Sequence, residues 1–184
     1  MSKRFLISDT HFYHDKIILY ENRPFTNVEE MNEGLIENWN STVSKKDTVF
    51  FLGDFCFGGV EKSTEIFKRL KGNIIMVQGN HDSGSVDKWL KVGFKEVYKY
   101  PIIVDGFFIL SHKPLYINDA MPYVNIHGHT HSKSYDHKQY VNVSVELHDY
   151  KPVLFDDIKN MFAEDDRDVK PKKPEILGDG DYDR

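Results

Sequence analysis

Apolar residues in this chain come in short runs, and most of the runs end on glycine or a small polar cluster. Phe5-Leu6-Ile7-Ser8 leads into Asp9-Thr10-His11, Thr48–Leu52 into Gly53-Asp54, and Ile74–Val77 into Gly79-Asn80-His81-Asp82. Runs of this length closed by turn residues read as buried strands. Between them the period changes. Val28, Met31, Leu35, Trp39 and Val43 step by three and four, which predicts a helix over Val28–Val43 with one face on a core. Asn27 supplies its N-cap, and Glu29 and Glu30 give an acidic first turn. Shorter helices are predicted over Lys16–Glu21, over Ser63–Leu70 up to Gly72, and over Val86–Lys91 up to Gly93. This β-α-β-α-β-α order argues a parallel sheet with right-handed crossovers.

The second half reads differently. Val97–Val104 and Phe107–Ser111 flank Asp105-Gly106, the signal of a hairpin with a type I′ turn. Val124-Asn125-Ile126 delivers His127-Gly128-His129. Tyr140–Val145 and Pro152–Phe155 predict further strands, and Asp156–Phe162 a last helix. Two packed mixed sheets with helices outside, a four-layer α-β-β-α sandwich, accommodate this better than one doubly wound sheet. The predicted α/β domain spans residues 1–162. Residues 163–184 carry eight acids, five bases and few apolar side chains, which predicts a charged, disordered tail.

At 184 residues, 40% hydrophobic and 29% charged, the chain has the size and balance of one globular domain. No apolar stretch approaches the roughly 18 residues that span a bilayer, and the N-terminal apolar run is too short for a signal peptide. Cys56 is the single cysteine, so no internal disulfide and no cysteine-based zinc site can form. It reads as a packed core thiol. A cytoplasmic location is the expectation. The net charge of −5 lacks the basic excess of a protein that wraps long nucleic acid.

The candidate chemistry lies where the strands end. Asp9, His11, Asp54, Asn80, His81, Asp82, His112, His127 and His129 all follow apolar runs, and open α/β sheets assemble their sites at such ends. Oxygen and nitrogen donors without a thiolate cluster read as a two-metal hydrolytic centre. In order, these clusters resemble the signature of the calcineurin-like metallophosphoesterases: D-x-H, G-D, G-N-H-[DE], a lone H, and G-H-x-H, the last read on His127-Gly128-His129. The resemblance covers most of the globular part and is nearest to short, capless bacterial and phage members.

That resemblance implies a set of roles. Asp9, His11 and His129 would hold one divalent metal ion, Asn80, His112 and His127 a second, and Asp54 would bridge them. Manganese, iron and zinc are the usual occupants of such sites. A metal-activated hydroxide would attack phosphorus, His81 would protonate the leaving oxygen, and Asp82 would orient the loop. Asn80 would also touch the substrate, with His14 and Arg23 as further phosphate contacts. His131, His137 and His148 read as surface residues. Phe12, Tyr13, Phe55, Phe57, Tyr116 and Tyr123 are either packing residues or platforms for a base.

The expected activity is hydrolysis of small phosphodiesters of nucleotide type, with monoesters as further substrates. Short inter-motif segments leave no room for a cap. The competing readings are a nuclease on ends or short oligonucleotides, and a metal-binding interaction module without catalysis. The intact His81 and ligand positions argue against the last. A homodimer is admitted by analogy with capless relatives, but no apolar stripe in the sequence marks its interface.

Overall fold

The computed structural model describes residues 2–118 and 120–163. The tail read from the sequence lies outside them, except Ala163, which closes the last helix. The elements run β1 (Arg4–Ile7), α1 (Asp15–Tyr20), α2 (Val28–Thr42), β2 (Thr48–Phe51), α3 (Gly59–Arg69), β3 (Asn73–Val77), α4 (Val86–Val92) and β4 (Glu96–Tyr98). Then come β5 (Ile102–Val104), β6 (Phe108–Leu110), β7 (Val124–His127), β8 (Tyr140–Asn142), a 3₁₀ turn (Val145–Leu147), β9 (Val153–Leu154) and α5 (Phe155–Ala163).

The strands form two mixed sheets. One has the order β4-β3-β2-β1-β9, parallel except for β9; the other has the order β5-β6-β7-β8, parallel except for β5. Alternation along the strands divides the core. Phe5, Ile7, Val49 and Phe51 face the helices, where they join Met31, Leu35 and Trp39. Leu6, Phe50 and Leu52 face the second sheet, where they meet Phe108, Leu110, Val124 and Ile126. Successive side chains of a strand point to opposite faces, so a strand buried on both sides reads as an unbroken apolar run. Phe155 and Ile158 of α5 belong to the inter-sheet cluster.

Helix α2 follows its expected cap: Asn27 Oδ1 accepts from the Glu30 amide at 2.8 Å. Where one strand was expected over Val97–Val104, there are two in different sheets. Pro101 between them has no N–H to donate. Tyr98 ends pairing with β3, and Ile102 begins pairing with Leu110. The hairpin turn is as expected, with φ of 54° at Asp105 and 67° at Gly106. Arg4 clamps it to β1 through a bidentate pair with Asp105 at 2.8 and 2.7 Å.

Besides this packing, a backbone bridge ties the ends of the two sheets together. Ser8, just past β1, pairs with Ser144 in a parallel bridge, and the Ser8 amide donates to the Val143 carbonyl at 3.1 Å. The C-terminal ends of β1, β2, β3, β6 and β7 therefore open onto a common edge.

Candidate metal centre

Asp9 is fully buried at the end of β1. Its Oδ2 accepts from the Ser8 hydroxyl, from Ser144 Oγ at 2.9 Å and from the His129 amide at 2.8 Å. Its Oδ1 has no hydrogen-bond partner; it lies 3.8 Å from His11 Nε2 and 3.9 Å from His131 Nε2. Asp54 sits between two groups of histidines. Its Oδ1 accepts from the His81 amide at 2.9 Å. Its Oδ2 is 3.5 Å from His11 Nε2 and 3.5 Å from His112 Nε2. Donor atoms of Asp9, His11 and His131 lie within 4.8 Å of one another, as do those of Asp54, His112 and His129. Asn80 joins the second group, its Oδ1 at 2.9 Å from His112 Nε2.

Two of these rings are anchored from behind. His112 Nδ1 donates to the Leu52 carbonyl at 2.8 Å, and His131 Nδ1 pairs with Glu146 Oε1 at 2.9 Å. A histidine held through Nδ1 presents the Nε2 lone pair forward, the usual arrangement behind a metal ligand. The donors fit a pair of divalent cations. Asp9 Oδ1 and His11 Nε2 are buried without a hydrogen-bond partner, as is His127 Nε2 outside the two groups; within a donor group a cation would take such lone pairs. Two donors each about 2.1 Å from one ion stand about 3–3.5 Å apart, close to the spacings around Asp54.

The backbone is specialised at the same places. Asp9, His11, Asp54, His129 and His131 have φ of 60°, 50°, 60°, 68° and 49°, a region non-glycine residues seldom adopt. Gly128 has a packing reason: a Cβ there would overlap Ser8 Oγ and Asp9 Oδ2.

Here the structure corrects the sequence reading. His127, expected beside His112, ends β7 with its ring fully buried. Its Nδ1 donates to the Gly128 carbonyl at 2.8 Å, and its neighbours are the Tyr135 and Tyr140 rings. It is in neither donor group. His129, expected beside Asp9, joins Asp54 and His112 instead, and His131, expected at the surface, takes the place beside Asp9 and His11. The left-handed turns at His129 and His131 bring both rings to the site, while His127 keeps its strand geometry. The signal was in the sequence: Gly128-His129-Thr130-His131 spells G-H-x-H letter for letter, two residues later than the register first read.

Arg23 also differs from expectation. Its side chain is fully buried against Glu146. Nε and Nη2 donate to Glu146 Oε1 at 3.1 and 2.6 Å, Nη1 to the Thr10 carbonyl at 2.9 Å, and Nη2 to the Asp9 carbonyl at 2.7 Å. These bonds occupy the guanidinium, so it braces the site from behind rather than meeting a phosphate. Glu146, which sequence reasoning missed, is the hub of that brace.

His14 is half-buried, stacked on Phe57 with centroids 3.9 Å apart, and its Nδ1 faces His11 Nδ1 at 3.3 Å. His81 is the open residue: its side chain is 48% exposed, with Nε2 4.0 Å from Asp54 Oδ2. Asp82 is buried and takes three backbone amides, those of Asp54 at 2.6 Å, Gly79 at 2.8 Å and Phe55 at 2.9 Å. It fastens the loop after β3 to the loop after β2. Cys56 is a buried free thiol.

The electrostatics follow from burial and crowding. Burial pushes Asp82 up to about 6 against its three amide donors. Burial also acts to raise Asp9, but His11, His112, His131 and Ser8 outweigh it and hold the carboxyl well below its ordinary range. Burial lowers His11 and His129. It brings His14 down to about 4, helped by the charges of His11 and His81. Neutral imidazoles and ionised carboxylates are the forms that bind cations.

Fold and candidate donor groups are those of a calcineurin-like phosphoesterase, and comparison with known proteins agrees. The profile of the calcineurin-like phosphoesterases matches residues 3–177, and the chain belongs to that family. It is 42% identical over 171 residues to an uncharacterised protein of Methanocaldococcus jannaschii, covering 85% of this chain and 89% of that one. It is 27% identical over 183 residues to the Gene 66 protein of Mycobacterium phage L5, covering 79% and 87%. A crystal structure of a protein of unknown function from Aquifex aeolicus superimposes with a TM-score of 0.70 at 29% identity, covering 88% of this chain and all of that one. No helix among the described residues is long and apolar enough to cross a membrane.

Proposed function

We propose that this protein is a two-metal phosphodiesterase acting on small, nucleotide-type phosphodiesters. The observation that carries the reading is the position of Asp54 Oδ2, 3.5 Å from a histidine nitrogen of each donor group. One carboxylate oxygen shared between two histidine-bearing groups is the arrangement a cation pair requires. Asp9, His11, His131 and Asp54 would hold one ion, and Asp54, Asn80, His112 and His129 the other. Bound there, manganese, iron or zinc supplies Lewis acidity and positive charge opposite a phosphate anion.

The chain's own residues do the rest. Asp9 and Asp54 supply the negative charge that retains the cations, and neutral Asn80 keeps that charge from growing. His81 stands exposed beside Asp54 with its amide fixed by Asp54 Oδ1, placed to give a proton to the leaving oxygen. Asp82 holds the His81 loop in register. His14, flat against Phe57, forms one rim where substrate enters. Cytoplasmic residence accords with the lone, buried Cys56.

The test is hydrolysis of bis-p-nitrophenyl phosphate and p-nitrophenyl phosphate with manganese, comparing the parent with His81→Ala and measuring metal content in both. The reading expects diester hydrolysis that needs metal and falls at least about a hundredfold in His81→Ala, within the usual range for a lost proton donor, with both ions retained. Undiminished activity without His81 refutes its role. A parent that binds both ions and cleaves neither ester points to an interaction module.

A further inference from the structure

An open cavity of ≈ 300 Å³ lies beside the second donor group, and Asn80 and His112 form part of its lining. Val77, Pro101 and Leu115 give it apolar walls, and Lys99 and Lys113 also line it. Its volume is at the lower end of the roughly 300–1,000 Å³ usual for small-ligand pockets.

The charge at this cavity runs against the rest of the chain. The protein carries −5 overall, yet the lining includes two lysines and no carboxylate. Lys99 and Lys113 are exposed, and among the described residues neither ammonium makes an ion pair. Some cations elsewhere are held by carboxylates: Arg4 by Asp105, Arg23 by Glu146, Arg69 by Glu33, and Lys159 by Asp105 and Asp156. Two ammonium groups around one concave site, unpaired among the described residues, make a locally positive surface. Such a surface attracts anions and raises their local concentration.

The cavity also opens onto Asn80 and His112, so a group seated in it is continuous with anything bound at the candidate cation pair. We infer that this cavity is a subsite for a second phosphate of the substrate. The substrate class is then a nucleotide unit that carries a phosphate of its own beside the diester to be cleaved. The apolar walls would receive the organic body, and Lys99 and Lys113 the second phosphate. This assignment rests on the phosphodiesterase reading of the adjacent centre.

The experiment uses the manganese-loaded protein, with Lys99→Ala/Lys113→Ala as the variant. Binding of thymidine 3′,5′-bisphosphate and thymidine 5′-monophosphate is measured by calorimetry at two salt concentrations. In the parent the bisphosphate binds about tenfold more tightly, and its advantage shrinks as salt rises, as expected for exposed charges. In the double variant the ratio of the two affinities falls toward one. A parent that does not distinguish the two ligands overturns the subsite, as does a variant that keeps the parent's ratio. Because binding is read without turnover, this result stands apart from bis-p-nitrophenyl phosphate hydrolysis. Loss of that hydrolysis in the parent would fail the phosphodiesterase reading alone. A thermal melt of the double variant, expected to match the parent because both lysines are exposed and unpaired, guards against misfolding.

Discussion

Arg23 and Glu146, 123 residues apart in sequence, form a buried ion pair at 2.6 Å. The same Glu146 oxygen holds His131 Nδ1 at 2.9 Å. The same arginine holds the carbonyls of Thr10 and Asp9. Two members of one donor group, Asp9 and His131, are thus fixed from behind by one pair of side chains.

Glu146→Gln keeps the shape and removes the charge that orients His131. Loss of such a partner typically costs 10–100-fold in metal affinity, and that drop is expected in a calorimetric manganese titration. Arg23→Ala strands Glu146 in a buried position. A broken buried pair costs about 3–5 kcal/mol, which urea denaturation would read as a lower midpoint. An Arg23→Ala protein of parental stability would remove the brace from the account.

The register of the last motif has its own test. His131→Ala is expected to reduce bound metal from two ions per chain to about one, by elemental analysis after gel filtration. His127→Gln should keep both ions, although its fully buried ring makes some loss of thermal stability certain. The opposite pattern would restore His127 as the ligand.

Asp82 separates loop support from catalysis. Asp82→Asn replaces one acceptor oxygen with an NH₂ that cannot take a backbone N–H. At least one of the amides of Asp54, Gly79 and Phe55 loses its partner. An unsatisfied buried donor costs about 1–3 kcal/mol, to be read as a lower denaturation midpoint in metal-free protein. Unchanged stability with abolished turnover would instead place Asp82 in the chemistry.

Asp47 predicts the acid limb of stability. Its carboxylate accepts from the amides of Lys3 and Ser44, both at 2.8 Å, and from Ser44 Oγ at 2.6 Å. The Lys3 amide and the Ser44 hydroxyl lead in drawing it down to about 2. A carboxyl lowered in the folded state contributes its full stabilisation above its unfolded value of about 3.9. That contribution declines as pH falls from there through about 2. Asp47→Asn should therefore lower the melting temperature at pH 7, with the gap to the parent narrowing below about pH 4. A gap that does not change with pH would assign the loss to shape alone.

Much of this was legible in the sequence because the responsible forces are local. Helix α2 follows from its step of three and four and from Asn27. The strands that carry Asp9, Asp54 and Asn80 follow from apolar runs ended by turns. What escaped depended on distant partners or on register. Arg23 looks like any basic residue in a polar loop until Glu146 is placed against it. His127, His129 and His131 alternate along five residues, and two readings of one motif overlap there; only the backbone turns after β7 separate them. Pro101 was visible, but nothing local says that the chain changes sheets there.

The left-handed backbone at Asp9, His11, Asp54, His129 and His131 sets this protein's stability against its chemistry. Non-glycine residues in that conformation cost about 1 kcal/mol or more each, on the order of 5 kcal/mol together, and glycine would relieve the strain. A library of variants selected only for heat resistance should therefore gather glycine at these five positions. The survivors would be sturdier proteins with only Asn80 and His112 left of the seven donors.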